Sequence, residues 1–158
     1  IDLEEKGTPD LEKRLHAASL CVEKGYRVGF HLDPIILIPG WEKAYKELVD
    51  TLFDFIPASR MEWVSLGSFR YRSSLKPIIK SRHPETLLFT GEHLPGKDGK
   101  FRYLRPLRNN AYETIRGFLQ EKSKELSIYL CMETKEIWED VTGKTPRSDE
   151  KLDMFFDL

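Results

Sequence analysis

His31 and Asp33 stand two residues apart in RVGFHLDPIILIPGW (residues 27–41), just before a proline and at the end of a run with the composition of a buried strand. An imidazole can hold or pass a proton, and a carboxylate can accept hydrogen bonds or face a cation, so the pair has two readings. Either it is a polar pair at the mouth of a site, or Asp33 caps a turn and His31 is satisfied inside a sheet. A second set is basic: Arg70, Arg72, Lys76, Lys80 and Arg82, then Lys97, Lys100, Arg102 and Arg105, with Phe101 and Tyr103 among the last of them. Cations interleaved with aromatics suit contact with phosphates and stacking on, or wedging beside, an unstacked base. The alternative is a solvated hairpin whose Phe101 and Tyr103 simply pack on the core, because alternate strand residues share a face. Cys21 and Cys131 are too few and too far apart for a disulfide framework or a metal-ligand motif. Both read as structural thiols, Cys21 on the inward side of a helix and Cys131 within the apolar strand of YLCME. Trp41, Trp63 and Trp138 read as core anchors.

The elements that must position these residues follow from periodicity. Thr8-Pro9 starts a helix whose apolar face is Leu11, Leu15, Ala18 and Val22, and Gly25 stops it. Tyr26 to Leu32 reads as a strand covered on both faces. A second helix opens near Gly40 and buries Trp41, Tyr45, Leu48, Leu52 and Phe55 before Pro57 ends it. Met61 to Leu66 is a strand, Ser74 to Arg82 a helix, and Thr86 to Thr90 a strand. Pro95-Gly96 and Asp98-Gly99 place a hairpin or projecting loop within residues 86–106. Asn110 to Glu125 reads as a helix with Ala111, Ile115, Phe118 and Leu119 inward, Ser127 to Met132 as a strand, and Thr134 to Val141 as a short helix. From Gly143 the chain is a polar tail, whose terminal MFFDL is apolar enough to dock back. Helices alternating with buried strands argue for an α/β fold with a largely parallel sheet, and ligands of such sheets sit at the carboxyl ends of the strands. His31 and Asp33 lie at such an end.

At 158 residues, 40% hydrophobic and 32% charged, the composition is that of one packed globular domain rather than a disordered chain. No apolar run approaches the ~20 residues that span a bilayer, and IDLEEKGTPD lacks the parts of a signal peptide, so the expectation is a cytoplasmic protein without a membrane partner. The net charge of −1 hides an asymmetry: residues 1–59 sum to −4, residues 60–116 to +7, and residues 117–158 to −4. A central basic island raises the local potential toward phosphate, or is a solvated surface.

Four stretches then carry a resemblance: GTPDLEKRLHAASLCVEKGYRVGFHLDPIILIPGWEKAYKELVDTLF, SLGSFRYRSSLKPIIKSRHP, KFRYLRPLRNNAYETIRGFL and IYLCMETKEIWE. Together, from about Glu4 to Val141, they resemble the C-terminal half of the spore photoproduct lyase family, radical S-adenosylmethionine proteins of DNA repair. The resemblance implies the C-terminal part of a partial (β/α) TIM-type barrel over residues 1–142, with a DNA-facing β-hairpin near 86–106 and a tail at 143–158. It implies S-adenosylmethionine and a 4Fe-4S cluster in a longer parent, the cluster held by a C-x3-C-x2-C loop that this sequence lacks. On that reading the chain alone binds neither cofactor and is inactive. His31 and Asp33 become cofactor-wall residues at the tip of strand Phe30–Pro34. Arg70, Arg72, Lys76, Lys97, Lys100, Phe101, Arg102, Tyr103 and Arg105 become DNA contacts for the repair of thymine photoproducts. The exposed sheet edge would take the missing half-barrel or a second copy. Two alternatives remain: a nucleic-acid-binding module without catalysis, and a radical S-adenosylmethionine enzyme with a non-DNA substrate.

Overall fold

A computed structural model describes residues 4–144, so the tail expected from Gly143 lies almost wholly outside the described residues. The chain order is α1 (Leu11–Glu23), β1 (Val28–Ile35), α2 (Trp41–Phe55), β2 (Met61–Ser68), β3 (Arg70–Arg72), α3 (Leu75–Arg82), β4 (His93–Pro95), β5 (Lys100–Tyr103), α4 (Arg105–Lys122), β6 (Ile128–Leu130) and α5 (Lys135–Thr142). Two three-stranded sheets result: a parallel one in the order β1-β2-β6, and a small antiparallel one in the order β3-β5-β4.

Alternation along the parallel strands sorts their side chains into two faces. Register aligns Leu32 with Leu66 and Leu66 with Leu130, and Phe30 with Val64 and Val64 with Ile128. These rows meet the inward residues of the helices, Leu15 of α1, Val49 and Leu52 of α2, Ile115 and Leu119 of α4, and Ile137 and Val141 of α5, in one core. The helices therefore cover one face only. The other face carries the row His31, Ser65, Tyr129 and the pair Gly29, Trp63. Burial of β1 accordingly alternates, with Gly29, His31 and Asp33 exposed. The expectation of a strand covered on both faces is corrected: β1 is an edge strand of a sheet packed on one side.

Local chemistry explains the boundaries. Asp10, rather than Thr8, caps α1, its Oδ1 accepting from Lys13 N–H at 2.8 Å. Gly40 starts α2 from a left-handed backbone (φ 81°) that a residue with a Cβ adopts at a cost, which is how Pro-Gly-Trp restarts as a helix. Helix α4 begins at Arg105, five residues before the expected Asn110, because Pro106 sits in its first turn where a missing N–H leaves no bond unmade. Thr86 to Thr90 is not a strand. The Glu4 carboxylate accepts from Thr86 Oγ1 at 2.7 Å and from Leu87 N–H at 2.6 Å, and Thr90 N–H closes a turn on Leu87 C=O. Donors spent this way are lost to a sheet ladder.

The hairpin is present as β4 and β5, but β5 also pairs with β3, which follows β2 after Phe69 alone. One face of this small sheet is aromatic: Tyr71 stacks on Phe69 and Phe101 with centroids 5.4 and 5.7 Å away, and His93 lies 4.4 Å from Tyr103. Cys21 is exposed, correcting the inward placement, since α1 turns Leu15 to the core and Cys21 away from it. Trp41 and Trp138 are core residues at 8% and 6% exposure, whereas Trp63 is half-buried on the open face beside His31 and Tyr129. No helix among the described residues is long and apolar enough to cross a membrane.

Two stability predictions follow from this packing. Ile115 is fully buried between α4 and the sheet, so Ile115→Ala lowers unfolding free energy by about 2–5 kcal/mol in chemical denaturation. Burial holds the His93 imidazole below its ordinary value of 6.5, so the folded chain takes up that proton less readily than the unfolded one. Its contribution is whole above about pH 6.5 and is lost as pH falls below it. Equilibrium denaturation across this window has a smaller acid-side decline in His93→Gln than in the wild type.

Candidate functional site

The carboxyl ends of β1, β2 and β6 lie side by side, and the polar residues of the chain converge there. Asp33 stands near the end of β1, followed by a cis peptide to Pro34. Its Oδ2 accepts from Arg70 Nη2 at 3.2 Å, and Arg70 Nη1 also reaches Ser68 C=O at 3.3 Å. Gly67 makes this possible, because a Cβ there would run into the Asp33 carboxylate. Cys131, one residue past β6, places its sulfur 3.9 Å from the same Arg70 nitrogen. Burial, aided by the Asp33 charge, raises the Cys131 thiol above its ordinary value despite Arg70, so it is protonated at neutral pH. His31 faces the same open side with its ring 4.7 Å from Trp63, edge to face. Ser65, in register between His31 and Tyr129, is fully buried and its Oγ has no hydrogen-bond partner.

Behind this mouth is a second cluster. Tyr112 of α4 accepts from Ser68 N–H at 2.8 Å and donates to Glu133 Oε1 at 2.7 Å. Burial drives the Tyr112 hydroxyl far above its ordinary pKa, and the Glu133 charge adds to this, so it stays a donor. Arg108, one helical turn before Tyr112, sits 3.5 Å from Glu133 Oε2, with the two side chains 8% and 4% exposed. Glu133 follows Met132, whose φ of 58° turns the chain left-handed at the end of β6. Sequence reasoning missed this cluster. One signal existed: Arg108 occupies the stripe 108, 111, 112, 115, 119 that α4 turns to the core, an arginine where an apolar residue is the rule. Glu133 gave none.

The basic residues divide by what they already hold. Register sets Arg70 opposite Arg102 and Arg72 opposite Lys100, so these four share the non-aromatic face of the small sheet. Arg70 is tied to Asp33, and Arg102 to Asp98 at 2.7 Å with only 13% of its side chain exposed. Arg105 binds Asp140 at 2.6 Å. Lys76 is half-buried with Nζ 5.5 Å above the Phe89 ring. Arg72, Lys80, Arg82 and Lys97 are exposed and Lys100 is half-buried, and among the described residues none of the five has a carboxylate within 4 Å. Phe101 is half-buried against Tyr71. Tyr103 is 2% exposed and its hydroxyl accepts from Leu37 N–H at 3.1 Å, so it is a core residue with no face open to a base. Among the described residues no three His, Cys, Asp or Glu side chains are grouped to hold a metal ion.

Removal of the Tyr112 hydroxyl should strand Ser68 N–H and one oxygen of Glu133 at once. Tyr112→Phe is expected to cost about 1–3 kcal/mol in urea denaturation, with little change in packing volume.

The spore photoproduct lyase family model matches residues 1–129. The spore photoproduct lyase of Bacillus subtilis is 33% identical over 86 residues, which cover 53% of this chain and 25% of that protein. That of Clostridium acetobutylicum is 32% identical over 100 residues, 63% of this chain and 30% of that protein. Among solved structures, a spore photoproduct lyase complexed with dinucleoside spore photoproduct has 25% identity and a TM-score of 0.69, covering 82% of this chain and 40% of that one. A variant with bound AdoMet and dinucleoside spore photoproduct has 25% identity and a TM-score of 0.65, covering 81% and 39%. The chain thus spans 25% to 30% of the length of these curated relatives and about 40% of the solved ones. A parallel sheet with helices on one face, its polar residues gathered at the strand ends, and a family match over most of its length together place this chain in the spore photoproduct lyase family.

Proposed function

We propose that this chain supplies later barrel strands and the DNA-facing surface of a radical S-adenosylmethionine lyase that repairs thymine photoproducts in cytoplasmic DNA. The observation that carries this reading is the cross-strand pair Arg72 opposite Lys100, two cations with no carboxylate within 4 Å among the described residues, on the face of the small sheet beside the strand ends. Like charges directly opposite one another destabilise a sheet, and a polyanion turns that cost into attraction. Arg72, Lys97 and Lys100 are the phosphate contacts with free charge, and Lys76 stands nearby on α3. Arg102 and Arg105 are positioned by their own carboxylates and contribute less.

S-adenosylmethionine, when bound, supplies hydrogen-abstracting radical chemistry. The open sheet face suits the adenosyl part: Trp63 and Tyr129 offer apolar surface, and the Asp33 carboxylate offers an acceptor. His31 and Asp33 would form part of that wall, Asp33 held in place by Arg70. The iron-sulfur cluster does not fit this chain's own residues, since its two cysteines are an exposed thiol on α1 and the Arg70-bound thiol after β6. β1 and β6, the edges of the parallel sheet, are the seats for further barrel strands or for a second copy of the chain.

The test is binding to a thymine-containing duplex over a salt series, for the wild type and for Arg72→Ala/Lys97→Ala/Lys100→Ala. Each phosphate contact adds about 0.9 to the slope of log affinity against log salt, so the triple variant should lose about 2–3 in slope. Absence of salt-sensitive binding by the wild type at low salt overturns the DNA surface and favours a radical enzyme with another substrate.

A further inference from the structure

A cavity of about 480 Å³ opens between the β4–β5 hairpin, the start of α4 and the turn after β6. Two residues of its wall, Leu94 and Met132, are apolar yet 54% and 59% exposed. Among the described residues Met132 is also the one residue other than glycine with a positive φ, a backbone that a long side chain rarely adopts. Such a conformation persists where the side chain it presents has a use. Here it presents a thioether beside an apolar hollow, and a thioether packs well on aromatic rings. Most charge on the wall is already spent: Asp98 is held by Arg102, Arg105 by Asp140, Glu133 faces Arg108, and Glu136 is hydrogen-bonded to the Thr134 hydroxyl. Lys97 is exposed with no carboxylate within 4 Å among the described residues, and α4 starts with no capping side chain and no acidic residue in its first turn. What the cavity lacks is an apolar filling with negative charge beside it.

We propose that residues 152–158 of this chain, LDMFFDL, dock in this cavity, with Phe155 and Phe156 against Leu94 and Met132. The segment supplies both missing parts. Two adjacent aromatic rings cover the exposed apolar wall, and Asp153 and Asp157 flank them, one carboxylate for Lys97 and one for the start of α4. Residues 145–158 hold four acidic and two basic side chains, opposite in sign to the basic island that contains the hairpin. The chain is long enough to return. Helix α5 starts at the cavity, where Thr134 and Glu136 line it, and its eight residues carry the chain about 12 Å away. Gly143 then leaves the helix in a left-handed turn with φ 66°. Residues 145–151 span about 23 Å when extended, roughly twice the length of α5. A polyanion would satisfy Lys97 and leave Leu94 and Met132 in water, whereas this segment covers all three. Docked there, it closes the mouth of the cavity and withholds Lys97 from other anions. The inference stands on the cavity and the sequence, independently of the DNA reading.

The test is amide hydrogen exchange of the full chain, read by mass spectrometry over residues 93–104, for the wild type, Phe155→Ala/Phe156→Ala and Met132→Gly. Glycine suits the φ of 58° at position 132, so Met132→Gly removes the side chain and keeps the turn. Circular dichroism and melting check the fold of both variants. Each variant should exchange about 5-fold or more faster than the wild type over 93–104, with α1 and α2 unchanged as the internal reference. Equal exchange in the wild type and Phe155→Ala/Phe156→Ala overturns the inference. Faster exchange in that variant while Met132→Gly matches the wild type also overturns it, since the segment then docks elsewhere. Protection that grows with protein concentration, together with dimers in sedimentation, overturns it in favour of a second copy as the source of the segment.

Discussion

The Tyr112 hydroxyl is the point on which the site depends. It joins α4 to the end of β2 through Ser68 N–H and to the turn after β6 through Glu133, in a largely buried region. Hydrogen bonds in such surroundings are electrostatically strong, and a missing partner there costs more than on a surface. Because α4 begins two residues after β5 ends, the same hydroxyl also sets where the small sheet can stand. Tyr103 adds a second tie, its oxygen accepting from Leu37 in the loop after β1. The hairpin is therefore anchored to the parallel sheet on its β5 side, by two buried tyrosines rather than by its surface charges.

The one-sided packing of the parallel sheet gives the molecule its division of labour. Helices α1, α2, α4 and α5 bury one face in a continuous apolar core. The opposite face keeps histidine, serine, tryptophan and tyrosine, a composition that a core would not accept without partners. Glycine is used where that face is tightest: Gly67 leaves room for the Asp33 carboxylate, which in turn fixes Arg70. A carboxylate at the end of one strand thus restrains an arginine that belongs to the next sheet.

Charge is distributed with a similar separation. The central basic island holds two kinds of cation, those locked to a carboxylate and those facing solvent. Arg70, Arg102 and Arg105 belong to the first kind and shape the mouth and the hairpin, while Arg72, Lys97 and Lys100 belong to the second. The Arg105 pair is exposed and contributes little to stability, so what that arginine gains is geometry rather than energy. The unlocked ones keep the long-range field that draws a polyanion.

Much was legible in the residues alone. Periodicity and composition marked every α-helix and all three parallel strands, because a helix packed on one face carries a repeat in its local sequence and a strand carries β-forming residues. The basic stretch and the polar end of β1 were visible for the same reason: they are contiguous. The third strand of the small sheet was not, since Arg70–Arg72 is too short to show a period and becomes a strand only when β5 lies beside it. Nor could spacing say which cations are free, because Arg102 and Arg105 are occupied by Asp98 and Asp140, the second of them far along the chain. Tyr103 went to the core instead of the surface by strand parity combined with the position of Leu37. Sequence by itself determined the α-helices, the three parallel strands, the α/β class and the family. Only the tertiary structure decided the pairing of Arg108 with Glu133 and of Asp33 with Arg70, because a contact between residues distant in the chain leaves no periodic trace in either one.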